Sequence, residues 1–554
     1  MLKTVVSKFG GTSLSSAENI LKVADIVKQP LCEKSLSGLS GAVGKSEGVR
    51  AFVVVSAPGK RFSDDSKITD LLYKAIEKPK VLAFVKDRFA EIVEKLNNLA
   101  DGKKLGAVRA GREVGKEAGV EIGREVGAVA YGKISLDVCE YFKGLYDYIT
   151  KAKIVNTDYV VSRGEYLCAK ILAEVLGYNF VDATELILFR NGECLTEESN
   201  ELASFVLSKL DNAVIPGFYG RDITESTADI EPRVDSKAQV DSKVHKLYVG
   251  SKANKSYVDS AYKVTTFARG GSDITGARIA RAVGASLYEN WSDVDGIYTA
   301  DPNIINKPSI IKALTYKELR ELSFAGATVL HQDSVFPTRK AGIPINIRNT
   351  FNTDSAGTLV VPPAKLDKIL EPKVKSRKEV ALKPSKEVVL ADMRGIRDTT
   401  QTASVRGLAG KKNYTIIHIE KGKLGLLRDA FFCVFAALKK HNVMPEHMPT
   451  GVDSISLVIH SISPQTLEAL CGDIIKATSP PHLKIINDIA LISIVGKGIA
   501  SEPRVTNEIF SALKKADVKT RIITQSTADI SIIIGVDNKD YERATKALYR
   551  ALDT

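Results

Sequence analysis

The strongest constraint on this chain is an alternation in its first 360 or so residues. Short runs that are apolar at nearly every position alternate with longer segments of helical periodicity. Residues 4–9 (TVVSKF) run into a glycine pair, and residues 51–57 (AFVVVSA) are apolar almost throughout. The run at 51–57, with no polar face, reads as a fully buried strand, covered on both sides. Residues 165–176 (EYLCAKILAEVL) place Leu167, Ile171, Leu172 and Val175 on one side of a helix, and further short runs follow at 179–183, 213–218, 286–289 and 345–350. Parallel strands need crossover connections, usually helices, so this order predicts an α/β domain with a largely parallel sheet.

A length of 554 residues leaves room for more than that domain. Hydrophobic residues make up 44% and charged residues 26%, which is ordinary for a globular protein and excludes long disorder. No apolar run approaches the roughly 20 residues of a membrane helix, and the start MLKTVVSKFGGTS has no signal-peptide pattern, so no membrane partner is expected. The formal net charge is +12. A basic balance serves nucleic acid, membrane surfaces or anionic small substrates. The six cysteines, Cys32, Cys139, Cys168, Cys194, Cys433 and Cys471, form no CxxC pair and are expected to be reduced in a cytoplasmic protein. The seven histidines form no HxxxH or HExxH pattern, so no protein metal site is assigned.

Residues 362–387 carry eight basic and four acidic residues with four prolines and read as a linker. They lack interleaved aromatics, so nucleic acid is not expected as a partner. Beyond the linker a β-α-β-β-like order occurs twice, at 414–460 and at 489–536. The two helices share an ALKK ending, at 437–440 and 512–515, which marks a duplicated α+β module. Three segments read as insertions: the Gly/Ser-rich 36–49, residues 230–262 with VDSK twice, and 102–132, where Gly111, Gly115, Gly119, Gly123 and Gly127 recur every fourth residue.

Five segments place glycine, charge and cap residues at the ends of the apolar runs. Lys8-Phe9-Gly10-Gly11-Thr12-Ser13 follows the first strand. A strand ending in two glycines exposes backbone N–H groups, and a following helix adds its positive end, so an anion can be cradled with Lys8 beside it. A tight turn with a solvent lysine is an equal reading. Ser13, Ser15 and Ser16 are candidate caps for the helix that follows. Ser56-Ala57-Pro58-Gly59-Lys60-Arg61 follows the second strand, with Thr69 as a candidate cap of helix TDLLYKAI. Ser162-Arg163-Gly164-Glu165 reads as the end of a YVV strand, where open α/β sheets bind ligands. A dipole partner at a helix start is the alternative for Glu165. Arg269-Gly270-Gly271-Ser272-Asp273 opens a helix and brings a bidentate cation suited to carboxylate or phosphate. Asn290 to Pro302 (NWSDVDGIYTADP) is a polar, turn-rich stretch with the only tryptophan.

Together these motifs resemble the aspartate kinases of the amino-acid kinase family. KFGGTS, VVSAPGK with ITDLL, SRGE, RGGSD and SDVDGIYTADP stand in family order, and FAGATVLHQDSVFPTRKAGIPINIRNT (324–350) continues the likeness. The C-terminal modules resemble the family's paired ACT domains. The resemblance implies a fold with an open, mostly parallel sheet and helices on both faces, followed by two ACT modules. The implied domains are 1–361 for the kinase, 362–388 for the linker, and 389–480 and 481–554 for the ACT modules. No homoserine dehydrogenase half follows, so a monofunctional enzyme is expected. The implied reaction transfers the γ-phosphoryl group of ATP to the β-carboxylate of L-aspartate, the first step of lysine, threonine and methionine biosynthesis.

By the same resemblance Lys8, Asp273 and Arg269 are the catalytic set. Ser56, Ala57, Thr69, Glu165, Arg269 and Ser272 line the aspartate pocket, with Arg269 on the α-carboxylate and Glu165 on the ammonium. Lys8, Phe9, Gly10, Gly11, Gly270, Gly271, Ser292, Asp293 and Tyr298 face ATP, and Mg2+ bridges its phosphates. An amino-acid effector, lysine in preference to threonine, is expected at Lys423, Gly425, Met448, Asp453 and Ser454. A homo-oligomer, dimer or tetramer, is expected through the ACT modules. Two family cations are absent: Asn303 follows Asp301-Pro302, and Thr328 stands where a lysine is usual. Lys307 and Arg348 are candidates to replace them. The alternatives are a catalytically weak amino-acid sensor, or a related kinase acting on another carboxylate.

Overall fold

A computed structural model of the chain describes residues 3–28, 49–100, 131–223, 264–268, 270–327, 330, 332–370, 404–420, 427–499, 501–525 and 530–552. The expected insertions up to residue 48, from 102 to 130 and from 230 to 262 lie outside the described residues. Two compact units are present: Met1–Gly296 with Leu330–Ile369, and Ile297–Val329 with Leu370–Thr554.

In the first unit the main sheet runs in the order Thr358–Val361, Ile345–Asn349, Leu287–Ser292, Lys3–Phe9, Val49–Val55, Asn212–Pro216, Asn179–Phe180. All neighbours are parallel except the edge pair Ile345–Asn349 with Thr358–Val361. The runs at 4–9 and 51–57 lie in the middle of this sheet, and the run at 179–183 reaches its edge. Phe52, Val53, Val54 and Val55 are all buried. One large apolar cluster joins Phe9, Val53, Val55, Ile68, Leu72, Phe89, Phe142, Leu167 and Leu172. A smaller sheet runs Glu193–Cys194, Leu188–Arg190, Tyr219–Asp222, Val264–Thr266.

Two local expectations are corrected. Tyr159–Val161 is not a strand; it lies in the helix Thr157–Leu176, capped by the Asn156 side chain and ended by Gly177 in the left-handed region at φ 71°. Val160 and Val161 suit either element, and the cap decides for the helix. Thr69 is not a helix cap either. The helix Ile68–Glu77 has Lys67 at its cap position without a side-chain bond, and Thr69 sits inside the first turn.

The second unit carries a six-stranded sheet in the order Pro445–His447, Ser454–His460, Ser404–Glu420, His482–Lys497, Ser531–Asp537, Thr520–Gln525. Every pairing is antiparallel. Helices Leu427–Lys440 and Pro464–Thr478 cover one half, where Ile417, Val434, Leu438, Leu457 and Ile474 cluster. Helices Pro503–Lys515 and Tyr541–Ala551 cover the other, where Leu408 joins Ile492, Val505, Ile509, Ile534 and Leu548. The two central strands serve both halves. Ser404–Lys411 pairs with Leu491–Lys497 in one half, and Ile416–Glu420 pairs with His482–Ile486 in the other. Register shifts between Lys411 and Ile416, with Asn413 at φ 70°, mark the change. The expected repeat is present. The strand completing its second half comes from before the first. Residues 363–370 of the expected linker form a helix, Pro363–Leu370.

Candidate active site

The carboxyl ends of the parallel strands gather most of the singled-out residues, the position where open α/β sheets bind ligands. Lys8 and Asn290 are register partners on adjacent strands, so their side chains leave the sheet on the same face. Both reach Asp273 in the first turn of helix Gly271–Ala282. Lys8 Nζ lies 2.6 Å from Asp273 Oδ1, and Asn290 Nδ2 donates to the same oxygen at 2.8 Å. Tyr288 Oη donates to the Asp273 carbonyl at 3.2 Å. Lys8 is 7% exposed, so the cation is held nearly dry, with Asp273 as its counter-charge.

On the opposite face Ser7 donates to Glu289 at 2.8 Å, and Trp291 Nε1 donates to the same carboxylate at 3.1 Å. Phe9 stacks on Trp291 with ring centroids 5.9 Å apart. Arg348 lies over Trp291 at 4.4 Å and donates to the Thr353 carbonyl at 2.8 Å. Arg348 is thus bound within the fold beside Trp291. Lys307 is exposed, at φ 54°, in the second unit. Asn303 donates through its backbone N–H and its side chain to Asp301 Oδ1, both at 2.9 Å. Thr328 lies outside the described residues.

The glycine turn is a close backbone approach. Gly10 N–H donates to Trp291 O at 3.0 Å, Ser56 N–H to Phe9 O at 3.2 Å and Gly59 N–H to Gly11 O at 2.7 Å. A Cβ on Gly11 would stand 2.7 Å from Ala57 O, and one on Gly59 would stand 2.6 Å from Gly11 C. The two turns therefore fit together only as glycines. The N–H of Gly10 is engaged by Trp291, and Phe9 is buried in the core. A single-turn 3-10 helix, Gly11–Leu14, separates the turn from the helix Ala17–Lys28. Among the three candidate caps, Ser16 accepts the Asn19 N–H at 3.3 Å, while Ser13 meets Thr350 at 2.7 Å. Arg88 props this turn by donating to the Gly59 carbonyl, and to Ser66 O at 2.8 Å.

Glu165 points out of the middle of its helix, not from a strand end. Gly164 lets that helix approach closely: a Cβ there would meet the Ala57 Cβ at 2.8 Å. The Ala57 N–H donates to the Glu165 carboxylate, while Oε2 has no hydrogen-bond partner. Burial pushes this carboxyl up to about 8, against the Ala57 N–H and the Arg163 charge, which lower it.

Gly270 holds φ 77°, and Gly271 is tight against Phe218, where a Cβ would stand 2.7 Å from its ring. Ser272 is buried against Gly217. Arg269 lies outside the described residues. Ser292 ends its strand and accepts the Val294 N–H at 3.4 Å, and Asp293 is exposed. Asp295 anchors this loop by accepting from Asn349 at 2.8 Å and Asn352 at 2.9 Å. Tyr298 belongs to the second unit, bridged to Ile310. In the C-terminal module Met448 packs against the apolar cluster, while Asp453 is exposed in a turn closed by Gly451 N–H to Ser454 O at 2.9 Å. Lys423 and Gly425 lie outside the described residues.

Sequence reasoning gave no role to Asn290, Tyr288 or Arg88. The strand register could have exposed Asn290, since it stands one residue before the tryptophan paired with Phe9. Arg88, 29 residues from Gly59, left no local signal.

The amino acid kinase family model matches residues 3–236 and 247–349, and an ACT domain model matches 492–552. Aspartokinase 3 of Bacillus subtilis (strain 168) is 27% identical over 562 residues, 98% of each chain. The chloroplastic bifunctional aspartokinase/homoserine dehydrogenase 1 of Zea mays is 26% identical, and the match covers 98% of this chain and 50% of that protein. The crystal structure of Clostridium acetobutylicum aspartate kinase is 31% identical with a TM-score of 0.69, covering 100% of both chains. E. coli aspartokinase III in complex with aspartate and ADP, at 20% identity and a TM-score of 0.62, shares the fold. The chain belongs to the amino acid kinase family, and within it to the aspartokinases that carry ACT domains.

Proposed function

We propose that the protein is a cytoplasmic aspartate kinase that phosphorylates the β-carboxylate of L-aspartate with ATP to give 4-phospho-L-aspartate. The observation that carries this reading is the buried Lys8–Asp273 pair at the strand ends, together with Glu165, a buried carboxylate with one oxygen open. A substrate carboxylate with a pKa near 4 is already ionised at pH 7, so no strong general base is required. The chemistry needs placement and a cation where charge spreads in the transition state. Lys8 supplies that cation beside the transferred phosphoryl group, and Asp273 with Asn290 aims it. Glu165 takes the substrate ammonium, Arg269 the α-carboxylate, and Ser56, Ala57, Thr69 and Ser272 shape the pocket between them. Ser292 and Asp293 stand on the nucleotide side.

Among the described residues no group of three or more His, Cys, Asp or Glu side chains could hold a metal ion. Magnesium, carried by the nucleotide, would neutralise phosphate charge beside Lys8. The ACT modules bind an amino-acid effector, lysine in preference to threonine, and pair subunits into a dimer or tetramer. Phe432 and Phe435 stand exposed on the first of their helices.

ATP-dependent trapping of the acyl phosphate with hydroxylamine tests the reading. Turnover with aspartate is expected. Turnover with glutamate alone overturns it, and no turnover with any acceptor beside tight lysine binding identifies a sensor instead.

A further inference from the structure

Arg88 is a buried cation that the reaction leaves without a task. It lies on the helix Leu82–Ala100, whose other buried residues are Leu82, Val85, Phe89, Ile92 and Leu96. Arg88 is 5% exposed. A guanidinium is expensive to bury, and packing alone would be met better by an apolar side chain. What its planar fork holds accounts for it. One terminal nitrogen donates to Ser66 O at 2.8 Å and lies 3.4 Å from Asp65 Oδ2, and the other donates to Gly59 O. Arg88 thus fastens both ends of the loop 59–66 from outside it.

Asp65 ties the same loop from within. Its carboxylate accepts the Arg61 N–H at 3.0 Å, Arg61 Nε at 2.9 Å and the Ser66 N–H at 2.9 Å. Burial raises this carboxyl, but the bonds from Arg61 and Ser66 and the Arg88 charge outweigh burial and hold it at about 2. Asp65 and Arg88 therefore stay charged through the neutral range.

Gly59 joins this clamp to the site. Its carbonyl takes the Arg88 bond, and its N–H donates to Gly11 O at 2.7 Å. A Cβ on Gly11 would stand 3.1 Å from Gly59 N, and one on Gly59 2.6 Å from Gly11 C, so one turn cannot move without the other. Gly11 is three residues past Lys8. We infer that Arg88 is a positioning residue for phosphoryl transfer: by clamping Gly59 it fixes the Gly11 turn, and with it the place where that turn and Lys8 meet the nucleotide phosphates. The inference rests on the aspartate kinase reading and deepens its nucleotide side. The aspartate side is fastened elsewhere, with Ser56 N–H on Phe9 O at 3.2 Å and Ala57 N–H on the Glu165 carboxylate. Loss of Arg88 should therefore separate the two substrates.

The test compares Arg88→Met, which removes the charge and every donor, with Arg88→Lys, which keeps the charge beside Asp65 but has no fork to span two carbonyls. Hydroxylamine trapping with ATP and aspartate varied in turn gives kcat and both KM values. In Arg88→Met kcat falls about 10–10²-fold, the scale of a slightly misplaced reacting group, and the KM for ATP rises about tenfold, with the aspartate KM within a few-fold. Arg88→Lys falls between the two proteins. A loosened fold would lower the melting temperature and move both KM values together or neither. Unchanged kcat and ATP KM, or equal rises in both KM values, therefore overturn the proposal. Should Arg88→Met not fold, the same split is read in Arg88→Lys, and its absence there overturns the proposal. Calorimetric titration with a non-hydrolysable ATP analogue and magnesium reads the nucleotide side without turnover. The Kd is expected to weaken by the same factor as KM, and an equal Kd, or no binding to the unsubstituted protein, overturns the proposal. A weakened Kd in a protein that never turns over aspartate places the failure in the substrate assignment.

Discussion

Lys8 and Asp273, 265 positions apart in the chain, meet at 2.6 Å because one ends a strand and the other opens a helix over the same sheet face. The pair makes a buried lysine tolerable and aims it. Removing the cation leaves the substrate sites intact. Lys8→Ala is expected to lower kcat by about 10²–10³-fold, the scale of one lost electrostatic stabiliser, with the aspartate KM within a few-fold. Steady-state hydroxamate kinetics check this, and an unchanged kcat removes Lys8 from its role.

Arg269 enters through its motif. Losing a bidentate carboxylate clamp weakens ground-state and transition-state binding alike, so Arg269→Ala should mainly raise the aspartate KM. A normal KM in the same assay refutes the clamp.

The two neighbouring glycines are not equivalent. A Cβ on Gly10 meets nothing closer than 3.5 Å, whereas one on Gly11 would stand 2.7 Å from a backbone carbonyl. Gly10→Ala should fold and melt nearly as the unsubstituted protein does. Gly11→Ala should lose about 1–3 kcal/mol and most of its activity, because backbone must move. Thermal unfolding followed by circular dichroism separates the two; equal melting temperatures would show that the turns are not in contact.

Glu165 links pH to stability. Its carboxyl titrates at about 8 in the fold and near 4.3 when unfolded. Between those values the folded state binds the extra proton, so the group's contribution is full below about pH 4 and is lost as pH rises through 8. Glu165→Gln, which cannot ionise, should therefore gain stability relative to the unsubstituted protein between pH 5 and 8.5, by up to a few kcal/mol, and lose that advantage at pH 4. Denaturant unfolding across this range checks the sign. The same variant should bind aspartate poorly.

Asp453 stands exposed at a tight turn in the first ACT module. If it receives the ammonium of an amino-acid effector, Asp453→Ala should relieve inhibition by lysine while leaving uninhibited turnover unchanged. Titrating lysine and threonine separately identifies the effector. Full lysine inhibition in the variant moves the site elsewhere.

Much of this was legible in sequence. Fully apolar runs gave the parallel sheet, since a strand with no polar face must be covered on both sides. The glycine pairs gave the strand-end turns, because only glycine permits backbones to approach as closely as Gly11 and Gly59 do. The duplicated ACT modules showed in their repeated order. The misread segments are those where local signals compete. Val160 and Val161 suit a strand or a helix, and the Asn156 cap decided for the helix. Thr69 had the chemistry of a cap but lay two residues past the cap position, Lys67.

By itself, then, the sequence determined which residues could carry charge to the ends of a parallel sheet, because periodicity and turn chemistry act over a few residues. Only the tertiary structure decided how those charges act. The pairing of Lys8 with Asp273 and Asn290, the seating of Arg163 against the Tyr219 ring and the supply of Ser404–Lys411 to the second ACT half all join positions far apart in the chain. Their physical basis is burial, which makes a charge depend on whatever neighbour the fold brings within reach.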